Sequence, residues 1–363
     1  MRSFFLRHHR LHVWLLSLAA FFLAFAVCRE NRALMNAIAE HVTAPVKYAL
    51  GRMWGLVPFS GMELLVIVLI LFAVIYLILW GRAIVRTRPR RRAVYGGFIG
   101  ALCTGLTIYA VCCLLWGVNY YTDSFQDRSG IREQPVAIED LYHVTRYFAD
   151  RLIDTSDLVE RDENGVFAVP RDAIFAGSTS VYDAVEQQFP FLKFPDQVPK
   201  RMAFSKVMSA MDFTGVFCPY TGESNLNVDS PACLLPSTIA HELAHQRGIA
   251  SEQECNFLAV LASTTCGSDV YAYSGWLLGY IHLGNALYRA DETLWRSVWE
   301  TLPDGARADL SFNNSYWAGF EGPASRASQK VYDSFLKSYG EAAGVKSYGT
   351  VVDLLVVYYQ ELT

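Results

Sequence analysis

Three apolar runs free of charged side chains fill most of the first third of the chain, and they decide what it can fold into. Leu11 to Cys28 reads LHVWLLSLAAFFLAFAVC, Leu64 to Trp80 reads LLVIVLILFAVIYLILW, and Ala93 to Thr122 contains FIGALCTGLTIYAVCCLLWGV. A helix needs about 20 consecutive apolar residues to cross the hydrocarbon of a bilayer, where every backbone N–H and C=O must be satisfied within the chain. The runs predict spanning helices over about 11–28, 62–80 and 95–118, and hence a membrane domain over 1–118. The first run is short, has a basic start and ends in AFA, a pattern also found in signal peptides. Its length and the CREN that follows favour an uncleaved anchor.

Charge orients these helices. Residues 1–118 hold 13 Lys+Arg against 3 Asp+Glu, whereas the remainder holds 18 against 32, a net of -14. Arg2, Arg7 and Arg10 precede the first run, and GRAIVRTRPRRRA after the second carries six arginines. Lysine and arginine near spanning segments stay in the cytoplasm. The chain from about Asn119 onward is therefore expected outside it, on a multi-pass protein of the cell membrane. The bilayer is one partner. Nucleic acid is excluded as another, because the acidic remainder has no basic patch interleaved with aromatic residues.

Residues 119–363 are enough for one globular domain. VAIEDLYHVTRYFADRLIDTSDLV has helical apolar spacing, VPRDAIFAGSTSVYDAVEQQF reads as a loop and a helix, and PFLKFPDQVPK as a surface connection. RMAFSKVMSAMDFTGVFCPYTGESNLNV is rich in β-formers and turn residues and predicts two or three short strands. YAYSGWLLGYIHLGNALYRA, SQKVYDSFLKSYG and VVDLLVVYYQEL read as helices. The first of these is apolar enough to suggest a fourth span, but His282 and Asn285 are costly in lipid, so a buried core helix is expected. The class is α+β, mostly helical. Cys218, Cys233, Cys255 and Cys266 lie in this part and can pair in three ways, with no spacing to select one.

The chemistry sits in PSTIAHELAHQRGIASEQECNF, Pro236 to Phe257. On a helix His241 and His245, four apart, share a face and can hold one metal ion. In an HExxH pattern the glutamate, here Glu242, serves as general base toward a metal-bound water. Ile239 and Leu243 share another face and can bury in the core. Gly248 marks a helix stop, and Ser251 with Glu254 spells a capping box for a new helix. A catalytic zinc site wants a third protein ligand, and a carboxylate suits it. Glu252 opens the new helix and is favoured; Glu254 competes, although the capping box already gives it a role.

The segment HELAHQRGIASEQECNF, with the closing KSYGTVVDLLV, resembles a family of bacterial membrane proteins known as domain of unknown function 3810. Its members join N-terminal spans to an HExxHxxG-x-x-x-ExE-x-N segment and are regarded as zinc metallopeptidases without a known substrate. More distantly, the E-x-x-x-N spacing resembles the E-x-x-x-D of membrane-associated gluzincins. The resemblance implies a zincin-like extracytoplasmic domain over 119–363, Zn²⁺ as cofactor, Glu252 as third ligand and Asn256 as support for a ligand histidine.

The function expected is hydrolysis of a protein or peptide substrate. Zinc would polarise a water and the scissile carbonyl, and Glu242 would move the proton to the leaving amine. Tyr220, Tyr271 and Tyr273 are candidate oxyanion donors, and TGVFCPYTGESNLN is the candidate edge strand for pairing with extended substrate. Two other functions use the same residues. One is a zinc-binding membrane sensor or scaffold without catalysis, which would leave Glu242 idle. The other is hydrolysis of a non-peptide amide, such as a cell-wall bond.

Overall fold

A computed structural model describes residues 8–339 and 348–362. Arg2 and Arg7 of the orientation argument lie outside the described residues, as do Gly340, Lys346 and Ser347 of the C-terminal segments. The sequence division at 118/119 is a cut in chain order, whereas the two compact units interleave. One comprises Met1–Lys47, Gly61–Thr122 and Pro219–Thr221; the other comprises Tyr48–Ser60, Asp123–Cys218 and Gly222–Thr363.

Helices α1 (His9–Cys28), α2 (Arg32–Ile38), α3 (Ala44–Trp54), α4 (Gly61–Arg86) and α5 (Arg90–Leu115) come first, with a π turn at Ala39–Thr43 joining α2 to α3. Of these, α1, α4 and α5 are long and apolar enough to cross a membrane. The third helix stops short of the expected residue 118, because a 3₁₀ turn takes over at Gly117–Tyr121. Helix α1 packs on α5 through Leu18, Ile99, Cys103 and Ala110. Helix α4 is tied to α5 by the Tyr76 hydroxyl, which donates to the Gly97 carbonyl at 2.6 Å, and by the Trp80 indole, which donates to Ala93 at 3.0 Å. The side chains from Val66 to Phe72 on α4 stay exposed all round. Such a surface is unfavourable in water by roughly 25 cal/mol for each Å² and suits lipid.

The second unit is mostly helical around one small sheet. Its further elements are α6 (Phe125–Ser129), α7 (Ile138–Ser156), α8 (Arg171–Ala176), α9 (Asp183–Gln188), β1 (Lys200–Arg201), α10 (Ser205–Ala210), β2 (Gly215–Cys218), β3 (Glu223–Leu226), α11 (Leu235–Gln246), α12 (Glu252–Thr265), α13 (Asp269–Ala290), α14 (Glu292–Trp299), α15 (Asp304–Ala318), α16 (Pro323–Ser338) and α17 (Tyr348–Tyr359). The strand order is β1-β3-β2, with β1 parallel and β2 antiparallel to β3. Helix α13 packs against both α7 and α12 and buries Tyr271, Tyr273, Leu277, Leu283 and Leu287, as expected for a core helix.

The segment RMAFSKVMSAMDFTGVFCPYTGESNLNV holds the expected short strands, β2 and β3 with the end of β1, and also helix α10, where Ser205, Met208 and Ser209 repeat at helical spacing and bury one face. Helices α14 and α15 are additions to the expected set; in α15 the buried side chains are only Ala306, Asp309 and Leu310, too few to give an apolar stripe. Cys218, Cys233, Cys255 and Cys266 form no disulfide.

Candidate metal centre

Helix α11 begins with a proline in its first turn, where a missing N–H costs nothing. Ile239, Ala240, Leu243 and Ala244 bury completely against the core. Burying the two larger side chains contributes roughly 1.5–3 kcal/mol each. This fixes the rotation of the helix and turns His241 and His245 to one side. The helix ends at Gly248, whose φ of 91° is in the left-handed region. Gly248 N–H donates to the His245 carbonyl at 2.9 Å, and Ile249 N–H to the Ala244 carbonyl at 3.2 Å, the Schellman pattern. The chain reverses, and α12 starts with Glu252.

The reversal brings three ligand side chains together. His241 Nε2 lies 3.1 Å from His245 Nε2 and 3.2 Å from Glu252 Oε2, and His245 Nε2 lies 3.5 Å from Glu252 Oε1. One ligand atom from each residue falls within 4.8 Å of the others, a group that can hold a metal ion. Burial raises the Glu252 carboxyl, but the two histidine rings outweigh it and hold the group well below the usual carboxylate range.

The other ring nitrogens are engaged. His241 Nδ1 is 3.0 Å from Asn256 Oδ1, and His245 Nδ1 is 2.8 Å from the Ile249 carbonyl. Both partners are acceptors, so each Nδ1 carries the proton and each Nε2 presents a lone pair to the centre. Glu252 and Asn256 are four apart on α12, which is why one helical face serves both.

Glu242 lies on the same helix and is only 4% exposed. The Phe217 N–H, on the outer strand β2, donates to its carboxylate. The Ser224 hydroxyl of β3 donates to the Glu242 carbonyl at 3.1 Å. Gly215 makes this arrangement possible: a Cβ there would sit 2.6 Å from Glu242 Oε1. The other carboxylate oxygen, Oε2, is buried without a hydrogen-bond partner among the described residues. Burial pushes the Glu242 pKa up to about 8, with the Glu252 charge adding and His241 opposing. An orphaned buried oxygen beside a two-histidine, one-carboxylate cluster fits a metal and the water it would carry.

Other expected residues lie elsewhere. Glu254 is neither ligand nor support for one, and the capping box with Ser251 does not form. Its carboxylate accepts the N–H groups of Phe125 and Gln126, each at 3.0 Å, and so caps α6. That burial needs both N–H bonds to offset the desolvated charge. The Tyr271 hydroxyl donates to Ile174, and Tyr273 donates to Asp309. Tyr220 belongs to the other unit, where its hydroxyl donates to the Ile108 carbonyl.

Two residues at the centre escape sequence reasoning. Tyr332 of α16 donates its hydroxyl to Glu252, and its ring meets Phe213 at 5.6 Å. His282 of α13 is buried; burial first, and His241 second, lower its pKa to about 4. The histidine in YIHLGN carries a signal, a polar group inside an apolar helix; nothing in the sequence ties Tyr332 to a glutamate 80 residues before it.

A family model described as "Protein of unknown function (DUF3810)" matches residues 40–356. No curated protein and no solved structure matches the chain.

Proposed function

The chain belongs to the DUF3810 family, and from its metal centre we propose that it is a membrane-anchored, zinc-dependent peptidase. The observation that carries this reading is Glu242: a buried carboxylate, held on the ligand helix, with one oxygen left unpartnered. A structural metal site has no use for such a group. His241 and His245 would hold the ion through Nε2, and Glu252 through its carboxylate. Two histidines and one carboxylate leave a coordination position open, as catalytic zinc sites do. When bound, zinc supplies Lewis acidity toward a water and a carbonyl.

The chain's own groups do the rest. Glu242 takes a proton at Oε2, the oxygen left without a partner, and returns it to the departing nitrogen. Asn256 and the Ile249 carbonyl keep the histidine rings in the tautomer that offers Nε2. Tyr332 orients the Glu252 carboxylate. Strand β2 is an outer strand whose Phe217 already touches the base, so an extended peptide pairing with it would bring its backbone to Glu242. That open edge favours a peptide over a non-peptide amide. The arginine distribution supports a zincin-like domain lying outside the cytoplasm.

Glu242→Gln tests the reading. The variant is expected to keep its metal and lose hydrolysis. Protein N-termini compared between cells carrying the wild type and the variant should include a set generated only by the wild type. Identical sets would rule out a peptidase.

A further inference from the structure

The second unit contains a cavity of about 520 Å³, within the range of small-ligand sites. Its walls include β1 with the preceding Val198, Arg52 and Val57 from α3 and the chain after it, Ser224 of β3, and Gln246 at the end of α11. Gln246 is 1% exposed, and neither its side-chain oxygen nor its nitrogen has a hydrogen-bond partner among the described residues. A buried polar group left unmet costs about 1–3 kcal/mol, and here one side chain carries two.

Lys200 and Arg201 of the wall are already matched. Lys200 Nζ donates to the carbonyls of Trp54 at 3.0 Å and Val57 at 2.5 Å and lies 4.0 Å from Glu223. Arg201 pairs with Asp172. Arg52 of the wall donates to the Tyr48 hydroxyl at 3.2 Å. What remains unmet is a carboxamide, which needs a partner offering N–H and C=O side by side. A peptide bond does so. Strand β1 pairs with β3 on one edge and with no strand on the other among the described residues, so it can also accept an extended chain.

We propose that this cavity is a second binding site, for a short peptide, read by the Gln246 carboxamide and the outer edge of β1. Gln246 directly follows His245, and Ser224 binds the Glu242 carbonyl, so the site adjoins the metal centre through two residues. The site does not depend on the peptidase reading, because binding can be measured without metal.

The test is equilibrium dialysis of the full-length protein, in detergent micelles and stripped of metal by chelation, against a random tripeptide library, with retained peptides measured by mass spectrometry. The wild type is expected to concentrate a subset of peptides over protein-free micelles. Gln246→Leu replaces the unmet amide with an apolar group of similar size, so its Tm should hold or rise. Its retention should fall roughly 5- to 100-fold, the loss of about 1–3 kcal/mol of hydrogen bonding. Val198→Trp, at an exposed position of the wall, should abolish retention by filling the cavity. His241→Ala should leave retention unchanged. The proposal is overturned if the wild type retains no peptide, if retention survives Gln246→Leu or Val198→Trp, or if His241→Ala removes it.

Discussion

Glu242 shows how strongly surroundings can shift the proton affinity of one side chain. Its carboxylate is buried, accepts one N–H from Phe217, and is pushed up to about 8. The sign of its effect on stability follows. Below the unfolded pKa of about 4.5 both states hold the proton. Between that value and about 8 the folded state binds more protons than the unfolded, so stability falls as pH rises. The contribution of Glu242 to the stability of the metal-free protein should fall across this window by roughly 1 kcal/mol per pH unit, while buried His282 contributes the opposite slope below about 6.5. Glu242→Gln, which mimics the protonated acid, should remove the Glu242 contribution. Chemical denaturation at several pH values in chelator checks this; parallel profiles for the two proteins would contradict it. At this scale His241, Glu242, His245 and Glu252 are legible in the sequence, because their spacing is local. Tyr332 and the true partners of Glu254 are hidden, because each depends on contacts between segments far apart in sequence; His282 shows only as a polar group inside an apolar helix.

At the scale of elements, the turn between α11 and α12 aligns the ligands. Gly248 adopts a left-handed conformation, and the Ile249 carbonyl that follows braces His245. Gly248→Ala should cost about 1–2 kcal/mol, the penalty of a Cβ in that conformation. For a unit of this size that is a fall in Tm of roughly 2–8 °C. Thermal unfolding of the metal-bound protein measures it, and an unchanged Tm would show that the turn does not need glycine. The stop and restart are legible in GIASEQ, since glycine and serine signal helix ends locally. The capping box misleads for the same reason: S-x-x-E is a local pattern, but Glu254 finds stronger partners on α6. Helix α10 is hard to read because SKVMSA has no strong local preference, and the core it packs against decides its form.

At the scale of the molecule, three helices are long and apolar enough to cross a membrane, and the mostly helical unit with a small sheet gathers at a single tight turn a group of side chains that can hold a metal ion. The apolar runs are plain in the sequence because lipid demands length and lack of charge. The interleaving of the two units is not, because Tyr48–Ser60 and Pro219–Thr221 are assigned by contact and not by composition. The whole account stands on His241, His245 and Glu252 holding one metal ion. The most direct test is elemental analysis of the purified full-length protein beside its His241→Ala, His245→Ala double variant. The account predicts about one zinc per chain in the wild type and close to none in the variant. Equal metal content in the two would contradict it.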